Sequence, residues 1–193
     1  MSVLRSQEEF YMAFDFKFLG EIITDRLKLR AVSRDDVADI FAFTSNPVGK
    51  EYLSWEPHSN IEKTKGFVDY LLQKAEKSEP VQWVIELLAE KKVIGITGFV
   101  DYQSVHNKGE IAYLLSPDYG GKGYMTEANA AVVKYGFDHM GLSRIQAKAE
   151  VDNIASQKVL EKIGMSEEGV LRKYIFQKGR YRDYKMYAIL SSK

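Results

Sequence analysis

The sequence predicts one α/β domain, with a mixed, mostly antiparallel sheet flanked by helices. Along the chain, apolar residues switch repeatedly between the alternation of strands and the three-to-four spacing of helices. A chain of 193 residues, 45% hydrophobic and 28% charged, is long enough for one well-buried core and short for two. No repeat or low-complexity linker divides it.

Leu27 to Leu29 alternates as a strand does. Asp35 to Phe43 sets Val37, Ile40 and Phe41 at helical spacing, with Ser33 placed to cap. Lys63 to Glu76 sets Phe67, Tyr70 and Leu71 likewise, and Pro80 ends that pattern. Val81 to Leu88 and Val93 to Val100 are β-rich runs joined by Ala89-Glu90-Lys91-Lys92, an antiparallel hairpin. His106-Asn107-Lys108-Gly109 turns the chain into a third strand, Glu110 to Leu115. The next helix buries Met125, Ala128, Val132 and Met140 and stops at Gly141. Arg144 to Val151 alternates as a strand, Asn153 to Ile163 is helical, and Gly164 ends it. Gly169 to Phe176 and Tyr181 to Leu190 close the chain as a hairpin around Lys178-Gly179.

Between the third strand and its following helix lies Tyr119-Gly120-Gly121-Lys122-Gly123-Tyr124-Met125-Thr126-Glu127-Ala128. Glycines free the backbone of Cβ atoms, so successive N–H groups can converge on an anion at the positive end of the helix. A phosphate cradle, a nucleotide site and a plain structural turn all fit this pattern. A P-loop does not, because Lys122 is followed by Gly123 and not by a hydroxyl residue. A dinucleotide fingerprint does not either, because position 126 is Thr.

Composition excludes several classes of function. The 27 basic and 27 acidic residues balance, and no basic run is interleaved with aromatics, so no nucleic-acid surface is expected. The first twenty residues carry Arg5, Glu8, Glu9 and Asp15 among hydrophobics, which fits neither a signal peptide nor a membrane span. A cytoplasmic protein is the expectation. Without cysteine there is no disulfide, thiolate metal site or acyl-cysteine intermediate. His58, His106 and His139 lack ligand spacing, so no metal is expected.

From about Thr24 to Leu190 the chain resembles the GCN5-related N-acetyltransferase superfamily, with its closest likeness to the ribosomal-protein N-terminal acetyltransferase branch. The resemblance is carried by Thr24-Asp25-Arg26-Leu27-Lys28-Leu29-Arg30, Tyr52-Leu53-Ser54-Trp55-Glu56-Pro57-His58, the glycine loop, Asn153-Ile154-Ala155-Ser156 and Tyr181-Arg182-Asp183. It implies a single-domain acyl-CoA N-acyltransferase fold over 24–193, with 1–23 an N-terminal arm of no assigned role. It implies acetyl-CoA as co-substrate, its pyrophosphate held at Gly121 and Gly123 with neighbours Lys122, Tyr124, Met125 and Thr126. Its pantetheine arm would lie along Leu114 and Leu115 and bond Asn153. One departure is Asp118, where the family pattern opens with Gln or Arg, so the backbone has to carry the phosphates there.

Acetyl transfer needs a neutral amine, a polarised thioester carbonyl and a proton for the leaving thiolate. A lysine-like amine, with a pKa of about 10.4, costs roughly 3.5 kcal/mol more to neutralise near pH 7 than an N-terminal α-amine at about 7.8. Glu110 stands where several relatives carry a base, and a surface-pairing carboxylate is its other reading. Many relatives protonate the thiolate with a tyrosine seven residues after the asparagine, but that position here is Leu160. The ribosomal-protein branch places Ser156 near the sulfur instead. Asn153 and Ser156 are equally good helix caps, and the two roles are compatible. Tyr52, Trp55 and His58 either line the acceptor pocket or pack in the core. Tyr174, Arg180 and Tyr181 reach either the same cleft or a dimer contact, and the chain is a monomer or a homodimer.

The resemblance therefore implies direct acetyl transfer to a primary amine, such as a protein N-terminus. The alternatives are a polyamine or aminoglycoside-like small-amine acetyltransferase and a non-catalytic acyl-CoA sensor.

Overall fold

The computed structural model describes residues 14–192. In chain order these form β1 (Ile22–Ile23), β2 (Leu27–Arg30), α1 (Val37–Thr44), α2 (Ile61–Glu76), β3 (Gln82–Leu87) and β4 (Lys92–Gln103). There follow β5 (Lys108–Leu115), α3 (Tyr124–Asp138), β6 (Arg144–Glu150), α4 (Ile154–Lys162), β7 (Ser166–Gln177) and β8 (Arg180–Leu190). The eight strands make one sheet in the order β1-β2-β3-β4-β5-β6-β8-β7. Every neighbouring pair is antiparallel except β5 and β6. The chain is thus the single-domain mixed α/β fold that the periodicity predicts.

β4 is buried continuously from Val93 to Phe99, so the sheet is covered on both faces at its centre. α1 packs with α2, and α3 with α4. α3 approaches the sheet closely at Gly136, where a Cβ would stand 2.7 Å from Ile145 Cδ1 and 2.9 Å from the Phe99 ring. Between Phe99 and Asp101 the β4–β5 register shifts, leaving Val100 as the extra residue of a bulge.

Several element ends differ from expectation for local reasons. Ser33 caps a 3-10 turn, Arg34–Asp36, through a capping box with Asp36, so α1 starts only at Val37. α2 begins at Ile61 because the Asn60 side chain accepts from Lys63 N at 3.1 Å. Its buried stripe is Thr64, Val68 and Leu71, and Tyr70 faces solvent. α3 ends at Asp138, not near Gly141. Leu142 N bonds Gly136 O at 3.0 Å, and the left-handed Gly141 (φ 65°) turns Met140 into the core.

Residues 1–13 of the expected arm lie outside the described residues; 14–23 pack into the domain. Phe16 is 1% exposed and meets Phe14, Phe99 and Tyr102 edge to face. Tyr102 Oη accepts from Phe14 N at 3.0 Å, and Gly20 O accepts from Trp83 Nε1 at 2.7 Å. β1 then adds its two residues to the sheet edge. Phe16→Ala should cost about 3–5 kcal/mol of unfolding free energy. Denaturant titration checks this, and a loss below about 1 kcal/mol would mean that the segment adds little to the core.

Candidate active site

β5 and β6 pair only at Lys108–Arg144, Gly109–Ile145 and Glu110–Gln146. Beyond these β5 follows β4 as far as Leu115–Gly95, while β6 follows β8 to Glu150–Tyr184. The strands separate into a cleft, and the β6-facing edge of residues 111–115 has no strand partner. Across the cleft, the Tyr113 hydroxyl lies 2.8 Å from Ser156 Oγ and donates to Ser156 O at 3.1 Å. Burial raises the Tyr113 pKa against the opposing effect of its bond to Ser156, so the hydroxyl keeps its proton through the neutral range. At the start of α4, Asn153 Oδ1 accepts from Ser156 N at 3.1 Å. Asn153 is therefore the cap, and the Ser156 hydroxyl is left to face the cleft.

The glycine loop ends in two left-handed turns, Gly121 (φ 74°) and Gly123 (φ 81°), the second being the N-cap of α3. A Cβ at Gly121 would meet nothing within 4 Å, so the space in front of the loop is open. Arg26 and Glu127 fasten the loop from behind. Arg26 Nε meets Glu127 Oε2 at 2.6 Å, Arg26 Nη1 donates to Lys122 O at 3.0 Å, and the guanidinium lies 4.5 Å from the Tyr124 ring centroid. Thr24 Oγ1 adds a 2.6 Å bond to the same carboxylate. Burial works to raise the Glu127 pKa, but the bonds from Thr24 and Arg26 hold it below the usual carboxylate range.

A cavity of about 550 Å³ runs from this loop into the cleft. Gly121, Gly123, Tyr124, Met125 and Thr126 line one end, and Leu114, Leu115, Asn153 and Ser156 line the other. Lys122 is turned away, with Nζ 3.3 Å from Asp118 O and 5.2 Å from the Tyr119 ring centroid. Lys158 and Lys162 of α4 also line the cavity and supply cationic charge that the motif reading did not anticipate. Open left-handed glycines at a helix N-terminus, lysines beside them and an unpaired strand edge fit a pyrophosphate followed by an amide-bearing arm.

A second cavity, about 320 Å³, joins the first at Tyr52, Leu53, Tyr113, Leu114, Asn153 and Ser156. Trp55 lines it, but His58 does not: its ring packs 4.9 Å from Trp55 and 5.9 Å from Phe67, and Nδ1 lies 2.8 Å from Thr64 Oγ1. Glu110 is also outside the lining. Its carboxylate pairs with Lys148 Nζ at 2.9 Å and accepts from Gln146 at 3.1 Å, and Lys148 is the residue that faces the cavity. Burial works to lower the Lys148 pKa, but Glu110 outweighs it and holds the amine protonated. Two residues along β6, Glu150 shares that face, its Oε1 2.5 Å from Arg182 Nη1. Tyr174 lies on β7, its hydroxyl 3.4 Å from Lys148 Nζ, and Tyr181 meets Phe176 edge to face at the solvent-exposed end of the hairpin.

The acetyltransferase (GNAT) domain matches residues 26–166, more than half of the chain. The chain belongs to the GNAT acetyltransferase family. An uncharacterized N-acetyltransferase of Bacillus subtilis (strain 168), YoaA, is 36% identical over 167 residues, covering 86% of this chain and 94% of that protein. A spermidine N(1)-acetyltransferase of Vibrio cholerae is 27% identical, over 89% of this chain and 96% of that one. Among solved structures, a GNAT acetyltransferase from Bacillus anthracis superposes with a TM-score of 0.81 at 31% identity, covering 90% of this chain and all of that one (100%). A ribosomal-protein-S5-alanine acetyltransferase from Vibrio fischeri shares the fold with a TM-score of 0.79 at 21% identity, over 90% and 98% of the two chains. As a GNAT protein this chain is an acetyl-CoA-dependent N-acetyltransferase, and the ribosomal-protein likeness holds at the level of fold.

Two expectations test this geometry. Gly123→Ala would force an L-residue into the left-handed region, costing about 1–2 kcal/mol of stability unless the loop turns its N–H groups away. Denaturant titration with acetyl-CoA calorimetry should show lost stability or weakened binding, and neither changing would contradict the turn. For His58, burial and then Lys63 hold the folded pKa below the ordinary 6.5. The unfolded chain therefore takes up its proton first, so this contribution is complete above about pH 6.5 and is lost as pH falls. His58→Phe should flatten the fall of melting temperature between pH 7 and 5.

Proposed function

We propose that the protein transfers acetyl directly from acetyl-CoA to a primary amine carrying little other positive charge, with a protein N-terminal α-amine the favoured acceptor. The carrying observation is the meeting of the two cavities at Tyr113 and Ser156, which lets a thioester in the long cavity face an amine in the short one. No cysteine is available to hold an acyl group, so transfer within a ternary complex is the simplest course. Gly121, Gly123, Tyr124, Met125 and Thr126 hold the pyrophosphate in this reading, and Leu114, Leu115 and Asn153 the pantetheine. Ser156, backed by the protonated Tyr113, donates to the departing thiolate. Glu110 is proposed as the base through a bridging water that carries the amine's proton to its carboxylate, because that carboxylate does not itself line the acceptor cavity.

A spermidine-like acceptor is the second reading, supported by the relative from Vibrio cholerae. Against it, Glu150 is the one carboxylate lining the acceptor cavity among the described residues, and it is shared with Arg182, so the further ammonium groups of a polycation find no partner there. A non-catalytic acyl-CoA sensor would have no use for the paired hydroxyls of Tyr113 and Ser156.

Release of free CoA thiol, measured with peptides of varied N-termini, polyamines and aminoglycosides, decides among these. Turnover is expected with peptides; spermidine turnover alone selects the second reading, and tight acetyl-CoA binding without turnover selects the sensor. Ser156→Ala should lower kcat by about 10- to 100-fold while acetyl-CoA affinity stays within about twofold, since the α4 cap belongs to Asn153. An unchanged kcat removes Ser156 from the chemistry. Glu110→Gln with unchanged turnover likewise removes Glu110 as the base.

A further inference from the structure

Glu150 is 4% exposed and lines the acceptor cavity, and its two carboxylate oxygens are unequally served. Oε1 takes the Arg182 guanidinium at 2.5 Å, while Oε2 is buried with no hydrogen-bond partner. A buried carboxylate oxygen without a donor has given up its hydration for nothing, and such a group calls for an occupant. We propose that Glu150 Oε2 receives the ammonium of the acceptor, so that this cavity selects cationic amines over neutral molecules of the same shape. The inference rests on reading the 320 Å³ cavity as the acceptor side.

Three features favour an ammonium over a neutral donor. A charge-assisted bond to a desolvated carboxylate is about twice as strong as a neutral one. The walls contributed by Tyr52, Trp55 and Tyr184 present aromatic groups, which favour cations over alkyl or hydroxyl groups of equal size. The competing cation, Lys148, is committed elsewhere, with Nζ 2.9 Å from Glu110 and 3.4 Å from the Tyr174 hydroxyl. Arg182 holds Glu150 in place from one side, through Nη1 to Oε1 and Nη2 to Glu51 O at 3.5 Å, while its buried Nε, like Glu150 Oε2, has no partner.

Position also suits transfer. Glu150 O accepts from Asn153 N at 2.9 Å and from Gln157 Nε2 at 3.2 Å, which ties the end of β6 to the start of α4, where Ser156 sits. An amine bound at Oε2 is therefore held in the same cavity that Asn153 and Ser156 line from the donor side.

The test uses n-butylammonium and n-butanol as probes with the full chain in the presence of CoA, read by saturation-transfer NMR. The native protein should bind the ammonium at least about tenfold more tightly than the alcohol, and Glu150→Gln should reduce that preference to within about twofold. CoA affinity reports that the variant is folded. If Glu150→Gln does not fold, Glu150→Asp keeps a charge for Arg182 while withdrawing the free oxygen, and should weaken ammonium binding by about threefold or more. A native protein without the preference, or a folded variant that keeps it, overturns the proposal. Because this readout needs no turnover, a protein that prefers the ammonium yet acetylates no amine would refute the proposed reaction and leave the Glu150 site standing.

Discussion

The loss of pairing between β5 and β6 beyond Glu110–Gln146 is the constraint on which the site depends. A continuous ladder would satisfy residues 111–115 with backbone partners and close the cleft. The two strands instead belong to different neighbours: β5 stays in register with β4 to its end, and β6 stays with β8. The bulge at Val100 adds local twist to β4 just where β5 begins to leave β6. What spans the opening is side chain, Tyr113 against Ser156, and a side-chain bridge can yield to a ligand where a ladder cannot.

Two charged clasps set the walls of that opening. Arg26 and Glu127 tie the start of β2 to the first turn of α3, and the same guanidinium holds Lys122 O, so the glycine loop is fixed from the side away from the cleft. Arg182 and Glu150 join the closing hairpin to the end of β6, and Arg182 reaches the turn that carries Tyr52. Gln177 and Lys178 bond the carbonyls of Leu53 and Lys50 from the same hairpin. The acceptor wall is thus a loop between α1 and α2 latched onto β7 and β8. Isolated surface pairs contribute little, but Arg182 and Glu150 have side chains 7% and 4% exposed, so removing either partner strands a buried charge.

Local pattern made much of this legible. Among the described residues period changes locate the four α-helices and all strands but β1, and the glycines at 121 and 123 mark the left-handed turns, because those signals depend on residues close in sequence. The motif segment around Arg26 was readable as a likeness, but its work was not, since the partner Glu127 is 101 residues away. Within the strand pattern of Glu110 to Leu115 nothing marks Tyr113; only the departure of β6 brings its hydroxyl to Ser156. The described residues before Thr24 have no periodicity to interpret, and their anchor is tertiary: Phe16 packs against Phe14 and against Phe99 and Tyr102 of β4. Motif position points to Glu110 and gives Glu150 no role; the tertiary structure separates them the other way, by which has an oxygen left over.

The leucine at 160 now has a physical context. Leu160 is wholly buried in the core, so a tyrosine there would have to bring its hydroxyl a partner or repack α4. In this chain the phenol nearest Ser156 comes instead from β5. Burial keeps the Tyr113 hydroxyl protonated, which makes it a standing donor and a poor base. A donor is what a leaving thiolate requires in the proposed reaction, whereas the amine side requires an acceptor, and Glu150 Oε2 is one. The cleft therefore carries opposite hydrogen-bonding characters on its two sides: hydroxyl donors where β5 meets α4, and a carboxylate where β6 meets β8. That polarity matches the direction in which protons must move when an ammonium becomes an amide and a thioester becomes a thiol.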